Sequence, residues 1–149
     1  MKTVYIAHPL SAPTREGIEE NRKRAALWAA WAALDCGVSP SCSWLVLTGV
    51  IDETPETREL GLACDLAAVA RSDQLWLVGG RVSSGMKIEA DAARAAGIPV
   101  RNFTPFGRLP PFDSPKTRAL LTAEARSLLE FAFVEESAAN LIPSEERGS

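Results

Sequence analysis

Apolar residues fall in short continuous runs, separated by longer stretches where small, apolar and charged residues alternate. The first run, KTVYIA at 2–7, is too short for a helix and stops at HPLSAPT, where two prolines mark a loop. It predicts strand one. A helix is predicted from about Thr14 to Cys36: REGIEENRKR opens it, AALWAAWAAL continues it, and Gly37 supplies the C-cap. The apolar run SCSWLVLT at 41–48 predicts strand two. In the loop GVIDETPET, Thr54 followed by Pro55 has the form of an N-cap with proline at the first helical position, so helix two covers about 55–71. DQLWLVG predicts strand three, SSGMKIEADAARAAG helix three and IPVRNF strand four. Beyond the loop TPFGRLPPFDSP, residues 117–134 predict a last amphipathic helix, and 135–149 a flexible polar tail.

Apolar strands alternating with helices predict an α/β fold: a flavodoxin/Rossmann-like parallel sheet of four to five strands sandwiched by helices, in a single domain over 1–134. Ligands of such sheets bind beyond the carboxyl ends of the strands. Those ends are AHPLSA, the 48–54 loop and GGRVSSG.

Composition narrows the partners. The chain of 149 residues is 46% hydrophobic with a formal net charge of −3, so nothing points to a nucleic acid polymer. No apolar run approaches a membrane span, and MKTVYIAHPL is too brief for a signal peptide. Cys36, Cys42 and Cys64 show no CxxC spacing and read as buried thiols of a cytoplasmic protein. With His8 the single histidine, no metal site or redox cofactor is expected.

Two acids stand out. Glu89 has Gly85, Met86, Ala92 and Ala93 as its helical neighbours, and Asp65 has Gly61, Leu62, Ala68 and Val69. Neither has a cation within a turn, and a buried carboxylate without a partner is pushed toward its neutral form. A counter-ion from elsewhere, such as Arg81 or Arg101, is the plain structural account. A close pair of carboxyls is also the device by which glycosidic bonds are cut, one acting as nucleophile and the other as proton donor. The serines and glycine at 83–85 put hydroxyls and N–H groups at a helix start, a seat for phosphate, although Ser83 or Ser84 as an ordinary N-cap accounts for them equally.

The patterns YIAHP, CDLAAVARSDQLWLV and SSGMKIEADAARAAGIPV together resemble the nucleoside 2-deoxyribosyltransferase superfamily. The likeness covers about residues 2–103. It is nearest to the small bacterial and phage proteins of the DUF4406 kind and to the nucleotide N-hydrolase branch. The resemblance implies a catalytic set of Glu89 as nucleophile at the anomeric carbon, Asp65 as the acid at the reacting centre, and Tyr5 touching sugar or nucleophile. Asp65 precedes Glu89 by 24 residues, as in the nucleotide hydrolases. Ser83 matches the serine those hydrolases carry, where nucleoside-using transferases carry aspartate. Ser84, Gly85 and Met86 complete the implied substrate-binding turn, with His8 as a phosphate or base contact. Lys87 stands where the characterised enzymes have glycine.

The expected activity is therefore cleavage of the N-glycosidic bond of a (deoxy)nucleoside 5′-monophosphate, by hydrolysis or transfer and without a cofactor. The alternatives are a non-catalytic nucleotide-binding or sensing module, with Lys87 neutralising Glu89, and a phosphoribohydrolase-like enzyme, faintly suggested by GG at 79–80. Family members assemble, so a homodimer or higher homo-oligomer is expected. Trp28 and Trp31 are read as core residues or as part of its interface.

Overall fold

Val4, Tyr5, Ile6 and Ala7 are all buried, so strand β1 (Thr3–Ala7) is covered on both faces, as a central strand of a parallel sheet must be. The computed structural model in which this is seen describes residues 1–140, with side chains as far as Phe131. β1 pairs with β2 (Ser39–Ser41) on one side and β3 (Gln74–Leu77) on the other, and β3 pairs with β4 (Val100–Asn102). All pairings are parallel and the order is β2-β1-β3-β4. The fold is therefore the expected α/β type, Rossmann/flavodoxin-like, with four strands.

Four helices flank this sheet: α1 (Arg15–Leu34), α2 (Ser43–Leu47), α3 (Pro55–Ala70) and α4 (Ser84–Ala95). Side chains of a strand alternate between faces. Tyr5, Ala7, Leu75 and Leu77 pack with Trp44 of α2, Val69 of α3, and Met86 and Ala90 of α4. Val4, Ile6, Trp76 and Val78 pack with Trp28 and Ala32 of α1. The caps follow the residues that can make them. Thr14 accepts from the Gly17 N–H at 3.1 Å, and Thr54 and Thr57 cap one another ahead of Pro55.

Strand two is shorter than expected, because SWLVL is helical. The sheet pairing of β2 ends at Ser41, opposite Tyr5, and leaves the Ile6 carbonyl on that edge without a strand partner. Trp44 takes it instead, its indole N–H donating to Ile6 O at 3.2 Å, while the ring packs into the core. Arg22 of α1 holds the same helix by donating twice to Leu45 O, at 2.8 and 3.3 Å. Pro40 is tolerated in β2 because this is an edge strand.

Trp28 is core, only 1% exposed, with its indole N–H donating to Arg108 O at 2.9 Å. It cannot belong to an interface. Trp31 is half-buried against Trp76 and Phe103, with ring centroids 6.0 and 5.8 Å away. The cysteines are free but less buried than expected: Cys36 is exposed, Cys42 and Cys64 intermediate.

The chain forms two compact units, Met1–Pro111 and a second from Phe112 onward. In the second, α5 (Pro115–Arg118) is a short turn, and α6 (Ala123–Asn140) begins after Thr122 caps the Ala125 N–H at 3.2 Å. The last helix thus starts later and ends later than the 117–134 expected. Of the expected tail, 141–149 lies outside the described residues.

Candidate functional site

The chain leaves β1 toward β2 on one side and β3 toward β4 on the other, so a crevice opens between the carboxyl ends of β1 and β3. His8 follows β1 there, and Gly79 and Gly80 follow β3. Gly79 has φ +97°, and a Cβ on it would stand 2.6 Å from His8 Cδ2 and 2.8 Å from Pro9 Cδ. Only glycine lets the two strand ends meet this closely. The crevice widens into a cleft of about 780 Å³, within the usual range for a small-molecule site. His8, Asp65, Ser83, Ser84, Gly85, Met86 and Glu89 all line it.

Tyr5, Asp65 and Glu89 come together from β1, α3 and α4. Tyr5 is wholly buried, Glu89 is 8% exposed and Asp65 is partly buried. Neither Arg81 nor Arg101 pairs with Asp65: among the described residues no ion pair reaches either acid, and Arg101 lies over the Trp76 and Phe103 rings. Tyr5 Oη, Asp65 Oδ1 and Glu89 Oε2 are each buried with no hydrogen-bond partner of proper geometry. The phenol is nonetheless close enough to act on both acids electrostatically.

Burial lifts Asp65 to about 6, with the Tyr5 hydroxyl pulling the other way. Burial likewise lifts Glu89 to about 7, opposed by Tyr5 and reinforced by the charge of Asp65. The phenol is raised well above its ordinary value, by burial first and then by the two carboxylates. Burial thus raises both enclosed carboxyls toward neutral pH. An acid and a base are thereby available side by side at the floor of a cleft.

His8 lies just beyond the end of β1 and lines the cleft. Its Nδ1 lies 2.6 Å from Pro9 O and must donate to it, which leaves Nε2 as an acceptor, buried and without a partner. Burial lowers His8 to about 4; the Pro9 carbonyl opposes this, and the Arg24 and Arg81 charges add to it. A neutral imidazole whose open nitrogen is an acceptor suits an N–H or O–H donor, such as one on a base, better than a phosphate oxygen.

Arg81, considered from the sequence only as a counter-ion for Asp65, also lines the cleft. Four arginines line the cleft, and three are engaged: Arg15 with Asp52 at 4.0 Å, Arg22 with Glu19 at 2.8 Å and Arg58 with Glu53 at 3.0 Å. Arg81 makes no ion pair among the described residues and stands two residues before the α4 cap, Ser83. The neighbourhood of SSG was the sequence signal for it.

Ser83 is the N-cap of α4: its hydroxyl accepts from the Met86 N–H, and its own N–H donates to Met86 Sδ, both at 3.3 Å. Its O–H remains free to donate, so the open groups of the turn are the Ser83 and Ser84 hydroxyls and first-turn N–H groups. Met86 is 1% exposed and mainly fills the core beneath the cleft. Gly85 has open space where a Cβ would stand. Lys87 is exposed and does not line the cleft, so it brings no charge to Glu89.

Among the described residues, no three His, Cys, Asp or Glu side chains converge as metal ligands would, and no helix is long and apolar enough to cross a membrane. Neither the curated proteins nor the solved structures include a match to the chain. One family does match, over residues 2–103, the span that carries every strand and both acids. With more than half its length so matched, the chain belongs to the family described as domain of unknown function DUF7768.

Proposed function

We propose that the protein cleaves the N-glycosidic bond of a nucleoside 5′-monophosphate, as a hydrolase or base-exchanging transferase of the nucleoside 2-deoxyribosyltransferase kind. The observation that carries this reading is the pair of cleft-floor acids whose buried oxygens find no partner in the protein. Leaving such groups unpaired is costly, and a ligand that engages them gives the cost a purpose.

In this reading Glu89 attacks C1′ of the sugar. The Glu89 O–C1′ bond forms as the C1′–N bond breaks, and the electron pair goes to the base nitrogen, which takes the Asp65 proton. Water, giving its proton back to Asp65, then displaces Glu89 from C1′; a second base does the same in transfer. The roles require the proton on Asp65, and burial raises both carboxyls so that either can hold one near neutral pH. Positive charge developing on the sugar favours ionised Glu89 and so leaves the proton to Asp65. Arg81, the Ser84 hydroxyl and the first turn of α4 receive the 5′-phosphate.

The binding-only alternative leaned on Lys87, which stands on the solvent side, away from the cleft. Exposed Leu60, Val82 and Ile88 rim the cleft mouth, and they suit a homodimer that covers it, testable by sedimentation. Three free cysteines suit a reducing cytoplasm.

The test is chromatographic detection of free base after incubation with each ribo- and deoxyribonucleoside 5′-monophosphate and the parent nucleosides, beside Glu89→Ala. Base release lost in the variant is expected. Full activity in Glu89→Ala, or no release from any substrate by folded protein, refutes the reading.

A further inference from the structure

Among the described residues most glycines have a local reason to be glycine. Gly37, Gly79, Gly80, Gly97 and Gly107 have positive φ, and a Cβ on Gly17 or Gly49 would come within 2.8 Å of Ala12 Cβ or 2.6 Å of Arg22 Nη2. Gly61 and Gly85 have neither reason: their φ is ordinary and a Cβ on either meets no atom within 4 Å. Both line the cleft, and each lies one turn before a buried acid, Gly61 before Asp65 and Gly85 before Glu89. Gly61 is the more telling of the two, because it sits in the interior of α3, where glycine weakens a helix relative to alanine.

Side chains on a helix lean toward its N-terminus, so the Asp65 carboxyl projects over the turn that contains Gly61. The bare backbone there leaves room beside the acid. Leu47, Ile51, Leu60 and Leu62 also line the cleft, as does Arg58 one turn before Gly61, which is engaged with Glu53.

Resting on the reaction proposed above, we propose that Gly61 determines substrate specificity: its backbone is a flat floor against which the departing base lies, sized for a bicyclic heterocycle. A methyl at this position occupies the space a second ring needs beyond the nitrogen that Asp65 protonates. The smaller ring of a pyrimidine stops short of it.

The test is Gly61→Ala and Gly61→Val, with melting temperature and kcat/KM measured for 2′-deoxyadenosine and 2′-deoxycytidine 5′-monophosphates. Gly61→Ala is expected to raise the melting temperature while lowering kcat/KM for the purine substrate by about tenfold or more, and for the pyrimidine by less than about threefold. Gly61→Val is expected to deepen the same selective loss. A lower melting temperature in Gly61→Ala marks the glycine as structural and overturns the proposal, as does an equal loss on both substrates. If the wild type releases base from neither, the reaction falls but the floor is still tested, by calorimetric binding of 2′-deoxyadenosine 5′-monophosphate. Binding by wild type and not by Gly61→Val upholds the floor; equal binding, or none by either, overturns it.

Discussion

Glu89 should destabilise the protein it serves, and replacing it by glutamine measures by how much. Its carboxyl moves from 4.5 to about 7 on folding, chiefly through burial. Below pH 4.5 both folded and unfolded chains hold the proton, and the group contributes nothing. Between 4.5 and 7 the unfolded chain ionises while the folded one keeps its proton, so folding stability falls as pH rises, by about 1.4 kcal/mol per unit. Above 7 both are ionised, and the whole penalty, roughly 3 kcal/mol, is present. Glu89→Gln keeps the shape and removes the titration, at the price of burying an amide with few partners. The expected net gain is therefore about 2 kcal/mol at pH 8 and near zero or slightly negative at pH 4. Urea unfolding at both pH values reads this as a midpoint that moves up by on the order of 1 M at pH 8 alone. If Glu89→Gln is less stable than wild type at pH 8, or gains equally at both pH values, the carboxyl is not enclosed as described.

Other changes should separate the parts of the site. Tyr5→Phe removes a hydroxyl that holds both acids down, so the acid limb of the activity profile should shift to higher pH. Arg81→Ala should weaken binding of nucleoside 5′-monophosphates by about tenfold while leaving nucleosides unaffected, measured by calorimetry. Gly79→Ala combines a positive φ with a collision against His8 and should cost about 2 kcal/mol or more in urea unfolding.

The sheet was readable because its central strands are buried on both faces and so appear as unbroken apolar runs: TVYIA and QLWLV left little choice. Thr54–Pro55 was readable because a cap and a proline act locally. SWLVL was not, since five apolar residues have no period to distinguish strand from helix. What decides it is the Ile6 carbonyl, 38 residues away, which the Trp44 indole satisfies. The same division holds in the cleft. Asp65 and Glu89 were conspicuous because their own helices offer them no cation, and the fold brings Tyr5 to both. The protonation of His8 depends on Pro9 O and on enclosure against Gly79, and the availability of Arg81 depends on which neighbouring arginines are already engaged. Neither can be read from adjacency along the chain.

The short helix α2 has a consequence for how such a protein can change over time. Both acids ride on α3 and α4, anchored in the main core, whereas α2 supplies part of the cleft wall through Trp44 and Leu47 and is tied down by a few side-chain bonds to Ile6 and Leu45 carbonyls. Leu47 and the residues just beyond it can be exchanged without moving either carboxyl or breaking a strand pairing. The wall that α2 supplies and the helices that hold the acids are thus separately adjustable, and a lineage built on this frame is free to reshape that wall while both carboxyls stay where they are.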